Sequence, residues 1–215
     1  GRTGALPHIG TAWYRNTFNL PKDAKGKKII LLFEGAMSEP QVYLNGKKVG
    51  EWAFGYSYFY FDVSQFIQEG ENTLSVKLTN KEFSSRWYPG AGLYRNVSVI
   101  VKNQESIDQW VQFITTPFIS ENVAKVNIKT KASGENTRLV TTIFFFFLKK
   151  LNSEESSIQF GNEFDQNIKV EKPKLWSPET PYLYKAVSQL YVGDELKDEI
   201  STNFGIREIK YEHNK

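Results

Sequence analysis

The chain has 215 residues, of which 40% are hydrophobic, 24% charged and 15% aromatic, with a net charge of +3 and no cysteine. That length is large for one domain and comfortable for two of about 100 residues each. The composition excludes disulfides, thiolate metal sites and cysteine nucleophiles; the small, dispersed charge argues against a nucleic-acid partner, and no apolar stretch approaches the about 20 residues of a membrane-spanning helix.

Strand signals follow one another along the chain. Asn45-Gly46, between Val42-Tyr43-Leu44 and Lys47-Lys48-Val49, predicts a two-residue hairpin. Ser64-Gln65-Phe66-Ile67 has room for one short helical turn, and Gly70 with Asn72 after it marks a turn. Leu74, Val76 and Leu78 then share one face of a strand, with Ser75 and Lys77 on the other. The polar patch Lys102-Asn103-Gln104-Glu105 predicts a boundary between two domains, 1–103 and 104–215. Beyond it, Val126 and Ile128 point inward between outward lysines, and Ser133-Gly134 with Asn136 forms the next turn. The longest apolar run, Ile143 to Leu148, is strand-sized. No amphipathic helix interrupts the pattern, so the expected fold class is all-β, two dissimilar β-sandwiches in tandem.

Several motifs recur in a fixed order. The first half carries Gly10-Thr11-Ala12-Trp13-Tyr14-Arg15, Phe33-Glu34-Gly35, Val42-Tyr43-Leu44-Asn45-Gly46 with Val49-Gly50, Phe61-Asp62-Val63, Gly70-Glu71-Asn72-Thr73-Leu74, and Ser85-Arg86-Trp87-Tyr88-Pro89-Gly90-Ala91-Gly92-Leu93-Tyr94-Arg95. Together these resemble the jelly-roll, galactose-binding-like sugar-binding domain of family 2 glycoside hydrolases of the β-galactosidase kind. The second half carries Leu175-Trp176-Ser177-Pro178-Glu179-Thr180-Pro181-Tyr182-Leu183-Tyr184 and Phe204-Gly205-Ile206-Arg207-Glu208-Ile209. It is similar to the immunoglobulin-like domain that follows in that family. The resemblance implies a parent enzyme that hydrolyses terminal β-linked sugars, galactosides first and glucuronides or mannosides behind, with its acid/base and nucleophile carboxylates in a catalytic barrel that relatives place after this point. The expectation is that this chain braces the missing barrel, shapes one rim of its pocket, and is inactive alone.

The residues themselves support no catalytic centre. Glu154-Glu155, Asp194-Glu195 and Asp198-Glu199 sit among Lys, Ser or Gly and read as solvated turns or edges. His8 and His213 lie near opposite ends with no ligand spacing around them, so neither a metal nor a cofactor is expected. Trp13 and Trp176 read as core or interdomain anchors. The candidate site is the Arg86 to Arg95 loop, with Arg86, Trp87, Tyr88 and Arg95 as substrate-rim or interdomain residues; Trp87 and Tyr88 offer flat faces that stack on pyranose rings. A packed structural loop, with Arg95 paired to a carboxylate, is the competing reading. In some relatives an acidic residue just before this loop frames the substrate, and Ser84, Ser85 and Arg86 stand in that neighbourhood here. Two other functions stay open: a free-standing carbohydrate-binding module and a surface or adhesion protein.

The Phe144 to Phe147 run carries rings on both faces of one strand. Val140, Thr142, Phe144, Phe146 and Leu148 alternate with Leu139, Thr141, Ile143, Phe145 and Phe147. One pair of rings is expected on an apolar surface covered by the barrel or by a second copy in a homo-oligomer, or else under the Pro173–Tyr184 segment. The compartment stays open, periplasmic or secreted ahead of cytoplasmic, with a removed segment before Gly1 allowed for.

Overall fold

The computed structural model describes residues 9–83, 90–144, 150–155 and 162–209. The chain divides into two compact units, Gly1–Lys102 and Asn103–Lys215. Among the described residues there is no α-helix, only 3-10 turns at Lys22–Ala24 and Ser64–Phe66, the second where the sequence left room for it.

The first unit contains β1 (Gly10–Asn19), β2 (Lys28–Phe33), β3 (Gln41–Leu44), β4 (Lys47–Glu51), β5 (Phe59–Asp62), β6 (Glu71–Asn80) and β7 (Val97–Lys102). They form a sandwich of a four-stranded sheet, β1-β6-β3-β4, and a three-stranded sheet, β5-β2-β7. Period-two patterning fills the space between them: Leu31, Phe33, Val42, Leu44, Phe59, Val76 and Leu78 are buried in one cluster. Phe33 stacks on Phe59 at 4.7 Å, and burying a ring of that size contributes about 2–3 kcal/mol. The predicted hairpin joins β3 to β4, with Asn45 at φ 51° and Gly46 at φ 78°, the positive pair that a type I′ turn demands.

Asn45 does more than turn the chain. Its Nδ2 donates to the Phe66 carbonyl (2.9 Å) and to Asn72 Oδ1 (2.8 Å), while its Oδ1 accepts from the Thr73 amide (2.8 Å). Asn72 is fully buried. Its Nδ2 donates to the carbonyls of Gln68 and Gly70 (3.0 Å each), and its Oδ1 also accepts from the Gln68 amide (2.9 Å). The two motif asparagines therefore lock the β3–β4 hairpin onto the turn before β6.

Trp13 corrects an expectation. The β1–β6 register sets Ala12, Tyr14, Asn16 and Phe18 opposite Leu78, Val76, Leu74 and Asn72, so the odd-numbered residues of β1 face outward. Trp13 is accordingly 58% exposed, its ring 5.5 Å from Tyr43 on the outer face, and it takes no part in the core.

The second unit contains β8 (Ser106–Ile107), β9 (Phe113–Ile119), β10 (Val123–Ser133), β11 (Thr137–Phe144), β12 (Lys150–Glu155), β13 (Glu163–Glu171), β14 (Tyr184–Val192) and β15 (Glu195–Phe204). One sheet runs β13-β10-β8 with β9 also on β10; the other runs β12-β11-β14-β15. Val126 and Ile128 are buried between exposed lysines, as predicted. The core falls into two clusters, one around Val126, Ile128, Ile143, Tyr184 and Ile206, the other around Ile107, Leu139, Phe164 and Leu190. A polar layer separates them: Thr141 Oγ1 donates to Gln166 Oε1 (2.7 Å) and lies 2.7 Å from Ser188 Oγ, which accepts from Gln112 Nε2 (2.6 Å). Leu139, Thr141 and Ile143 face inward and Phe144 outward and half-buried; Phe145 to Phe147 lie outside the described residues.

Asp198 is the second correction. It is half-buried rather than solvated, because its Oδ2 accepts from the Ile107 amide (2.9 Å) and Oδ1 from the Glu199 amide (2.9 Å), anchoring the two-residue β8. Trp176 packs within its own unit. Its amide donates to the Ile206 carbonyl (2.8 Å), Gly205 lies under its Cβ, and the Arg207 guanidinium sits 5.2 Å from its ring.

Candidate functional site

Arg86, Trp87 and Tyr88 lie outside the described residues, as do His8 and His213. Of the four candidates, the structure places Arg95. Its guanidinium lies 5.9 Å from the Tyr58 ring centre and 5.7 Å from that of Tyr94, and it is exposed. Among the described residues no carboxylate pairs with it; it meets two aromatic faces, a cation–π arrangement.

The ground under Arg95 is built by three segments. Met37 and Gly92 exchange main-chain hydrogen bonds (3.0 and 2.9 Å), tying the segment that begins at Gly90 to the chain after β2. Gly92 is required there. Its φ is +114°, and a Cβ would stand 2.6 Å from the Tyr14 hydroxyl oxygen. The Tyr94 ring then packs against Gly35, and its hydroxyl donates to the Gly55 carbonyl (2.8 Å). Gly55 in turn sits against the Met37 sulfur, which fixes the 52–58 loop.

That loop presents rings outward. Trp52 stacks over Phe59 (5.8 Å) and donates from Nε1 to Ser57 Oγ (2.9 Å); Phe54 meets Tyr56 edge-on at 5.8 Å. Phe54, Tyr56, Tyr58 and Tyr94 are each about half exposed. The sequence reading missed this group, although Trp52, Phe54, Tyr56, Tyr58 and Tyr60 repeat at every second residue, which is itself a signal of a ringed face. Chemically, the surface can stack on apolar sugar faces and donate hydrogen bonds from a guanidinium and tyrosine hydroxyls.

Among the described residues it holds no acid/base pair. The carboxyls of Asp23, Glu51 and Glu163 are held below their ordinary range by hydrogen bonds from Lys27, Lys48 and Lys131, and that of Glu179 by backbone hydrogen bonding and then Ser177. A general acid at neutral pH needs the opposite displacement. Among the described residues no group of three or more His, Cys, Asp or Glu could hold a metal ion.

Comparison with known proteins accounts for nearly the whole chain. The model for the sugar binding domain of glycosyl hydrolases family 2 matches residues 5–103, and a second model, glycosyl hydrolases family 2, matches residues 107–207. A putative beta-glucuronidase of Formosa agariphila is 33% identical over 98% of this chain and 21% of its own length. The beta-galactosidase BoGH2A of Bacteroides ovatus is 33% identical over 95% of this chain and 25% of its own. The crystal structure of a glycosyl hydrolase family 2 member from Bacteroides cellulosilyticus superposes with a TM-score of 0.88 at 28% identity, covering 95% of this chain and 30% of that one. The chain thus spans about a fifth to a third of the proteins it matches.

Proposed function

The chain belongs to the glycosyl hydrolases of family 2, and from that premise we propose that it is the non-catalytic front portion of a retaining enzyme acting on terminal β-glycosides, galactosides first and glucuronides next. Residues 1–103 serve as its sugar-binding-type jelly roll and 104–215 as its immunoglobulin-like domain. Hydrolysis falls to two carboxylates of a barrel outside these residues, which the two sandwiches brace. Arg95, with Arg86, Trp87 and Tyr88, forms part of the pocket rim beside Tyr58 and Tyr94. The observation that carries the proposal is the unbroken tandem of two domains of one family, matched over residues 5–103 and 107–207.

The test compares the purified 215-residue chain with the protein translated from the complete reading frame, using nitrophenyl β-galactoside and nitrophenyl β-glucuronide. Turnover is expected from the complete protein alone. Turnover by the 215-residue chain that is lost on mutating one of its own carboxylates would sink the proposal. The half-exposed rings of the 52–58 loop favour one alternative, a sugar-binding module in its own right. Calorimetric binding of galactose by the chain, abolished in Tyr58→Ala, would select it.

A further inference from the structure

The outer face of the four-stranded sheet in the first unit carries side chains that its core does not use. The register across β1, β6, β3 and β4 sets Trp13, Lys77, Gln41 and Glu51 in one row. Arg15, Ser75, Tyr43 and Lys48 form the next, about 6.7 Å along the strands. Ser75 is the smallest of these, and over β6 the rings of Trp13 and Tyr43 meet with centres 5.5 Å apart and planes tilted by 42°. Tyr43 is steadied on its own strand, where its hydroxyl donates to Gln41 Oε1 (3.3 Å). Trp13 is more than half exposed and Arg15 is exposed as well.

This face is basic. Within the two rows Arg15, Lys48 and Lys77 stand against Glu51 alone, and Glu51 is already bonded to Lys48 (2.7 Å). Arg15 and Lys77 make no ion pair among the described residues. The next carboxylate along β6 on this side, Glu71, is four residues from Ser75, about 13 Å away. A single exposed indole is ordinary on a protein surface. An indole with an unpaired guanidinium and an unpaired ammonium within one row of it has the parts that an acidic sugar requires. The flat ring takes the C–H face of a pyranose, and the guanidinium fork takes a carboxylate through two parallel hydrogen bonds. Side chains stand perpendicular to a sheet, so a ligand over this face meets rings and cations. It meets none of the main-chain groups with which a polypeptide strand pairs at a sheet edge.

We infer that Trp13, Tyr43, Arg15 and Lys77 form a surface site for an acidic polysaccharide, a chain of uronic-acid pyranoses. One sugar ring stacks on Trp13 with its carboxylate on Arg15, and Lys77 and Gln41 take up hydroxyl groups beside it. The site holds the polymer and does not cleave it, because its one carboxylate is engaged by Lys48.

Affinity electrophoresis of the protein of the complete reading frame tests this, in native gels cast with polygalacturonate or with neutral hydroxyethyl cellulose. Polygalacturonate should retard the protein and hydroxyethyl cellulose should not. The apparent Kd should rise at least about tenfold in Trp13→Ala and in Arg15→Gln, and less than about twofold in Lys25→Gln, which removes an exposed cation elsewhere on the same unit. Both site residues are exposed, so the variants should melt with the wild type, and lost retardation then reports on the face and not on the fold. Acrylamide quenching, with Trp13→Ala as the subtraction, should find Trp13 accessible in the free protein and shielded by polygalacturonate. Equal mobility in the two gels, binding that Trp13→Ala leaves unchanged, or equal weakening by Lys25→Gln and Arg15→Gln would each overturn the inference. So would a Trp13 that acrylamide does not reach in the free complete protein, since polypeptide would then occupy the face. The gels read binding and not turnover, so their outcome is independent of the hydrolysis proposed above.

Discussion

Asn72→Ala should be among the most damaging single changes in the first unit, although it removes no hydrophobic contact. The side chain is fully buried and engages four groups: the amide and carbonyl of Gln68, the carbonyl of Gly70 and Nδ2 of Asn45. A neutral hydrogen bond contributes about 1 kcal/mol net, and a stranded buried partner costs more. Gln68 is exposed, so water can reach part of what is left. The expected loss is about 3 kcal/mol, which for a unit of this size lowers its melting temperature by about 12–24 °C. Asn72→Asp keeps the shape and both acceptor bonds but turns a carboxylate oxygen toward two carbonyls. The buried carboxyl should titrate above its unfolded value of about 3.9, so its contribution is intact in acid and is lost as pH rises through the raised value. Calorimetry at pH 4 and pH 7, with the second unit's transition as internal control, gives both numbers. An Asn72→Ala variant within 0.5 kcal/mol of wild type, or an Asn72→Asp variant no more stable in acid than at neutrality, would refute the reasoning.

Thr141→Val removes the centre of the polar layer, leaving Gln166 Oε1 and Ser188 without it; a loss of about 2–3 kcal/mol in urea denaturation is expected, and a neutral effect would show the layer to be dispensable. Gly205→Ala sets a Cβ 2.8 Å from the Cβ of Trp176, so a cost of about 1–3 kcal/mol should accompany a change in Trp176 fluorescence. Burial pushes the Tyr184 hydroxyl above its ordinary pKa, against a hydrogen bond from the Lys174 amide. Its contribution is then whole below about pH 10 and is lost as pH rises through the higher folded value. Tyr184→Phe should cost about 1 kcal/mol at neutrality and flatten the alkaline limb of the stability profile, and an unchanged limb would rule the tyrosine out as its source. On the proposed rim role, Arg95→Ala in the protein of the complete reading frame should raise KM for nitrophenyl β-galactoside about tenfold with little change in kcat, and an unchanged KM would remove Arg95 from the rim.

The fold was largely legible because its signals are local. Asn45-Gly46 needs only its own two φ values, and Leu74, Val76 and Leu78 need only strand phase. What depended on partners far along the chain was not. Strand phase alone does not say which face of β1 is the core, so Trp13 was read as a core or interdomain anchor, and the β6 register turns it out of the core. Asp198 looked like any charged residue near a turn until Ile107, 91 residues away, was found donating to it. The site was less legible still. Arg95 was singled out through its motif; of the two rings beside its guanidinium, Tyr94 is its neighbour in sequence, whereas Tyr58 comes from a loop much earlier in the chain, near the Met37–Gly92 bridge.

The polar layer of the second unit bears on how that domain finds its fold. Its strands repeat apolar residues at every second position, so sliding one strand by two residues would still bury hydrophobic side chains. Thr141, Ser188 and Gln166 break that degeneracy. A slip of β13 by two would take the Gln166 amide away from Thr141 and set it among Leu139 and Leu190 or among Ile128 and Ile143. The layer thus works as an alignment key, penalising near-miss pairings and exchanged strands between copies more heavily than it rewards the native one. Replacing all three residues by apolar ones could leave the domain as stable as before and yet slower to reach a single arrangement.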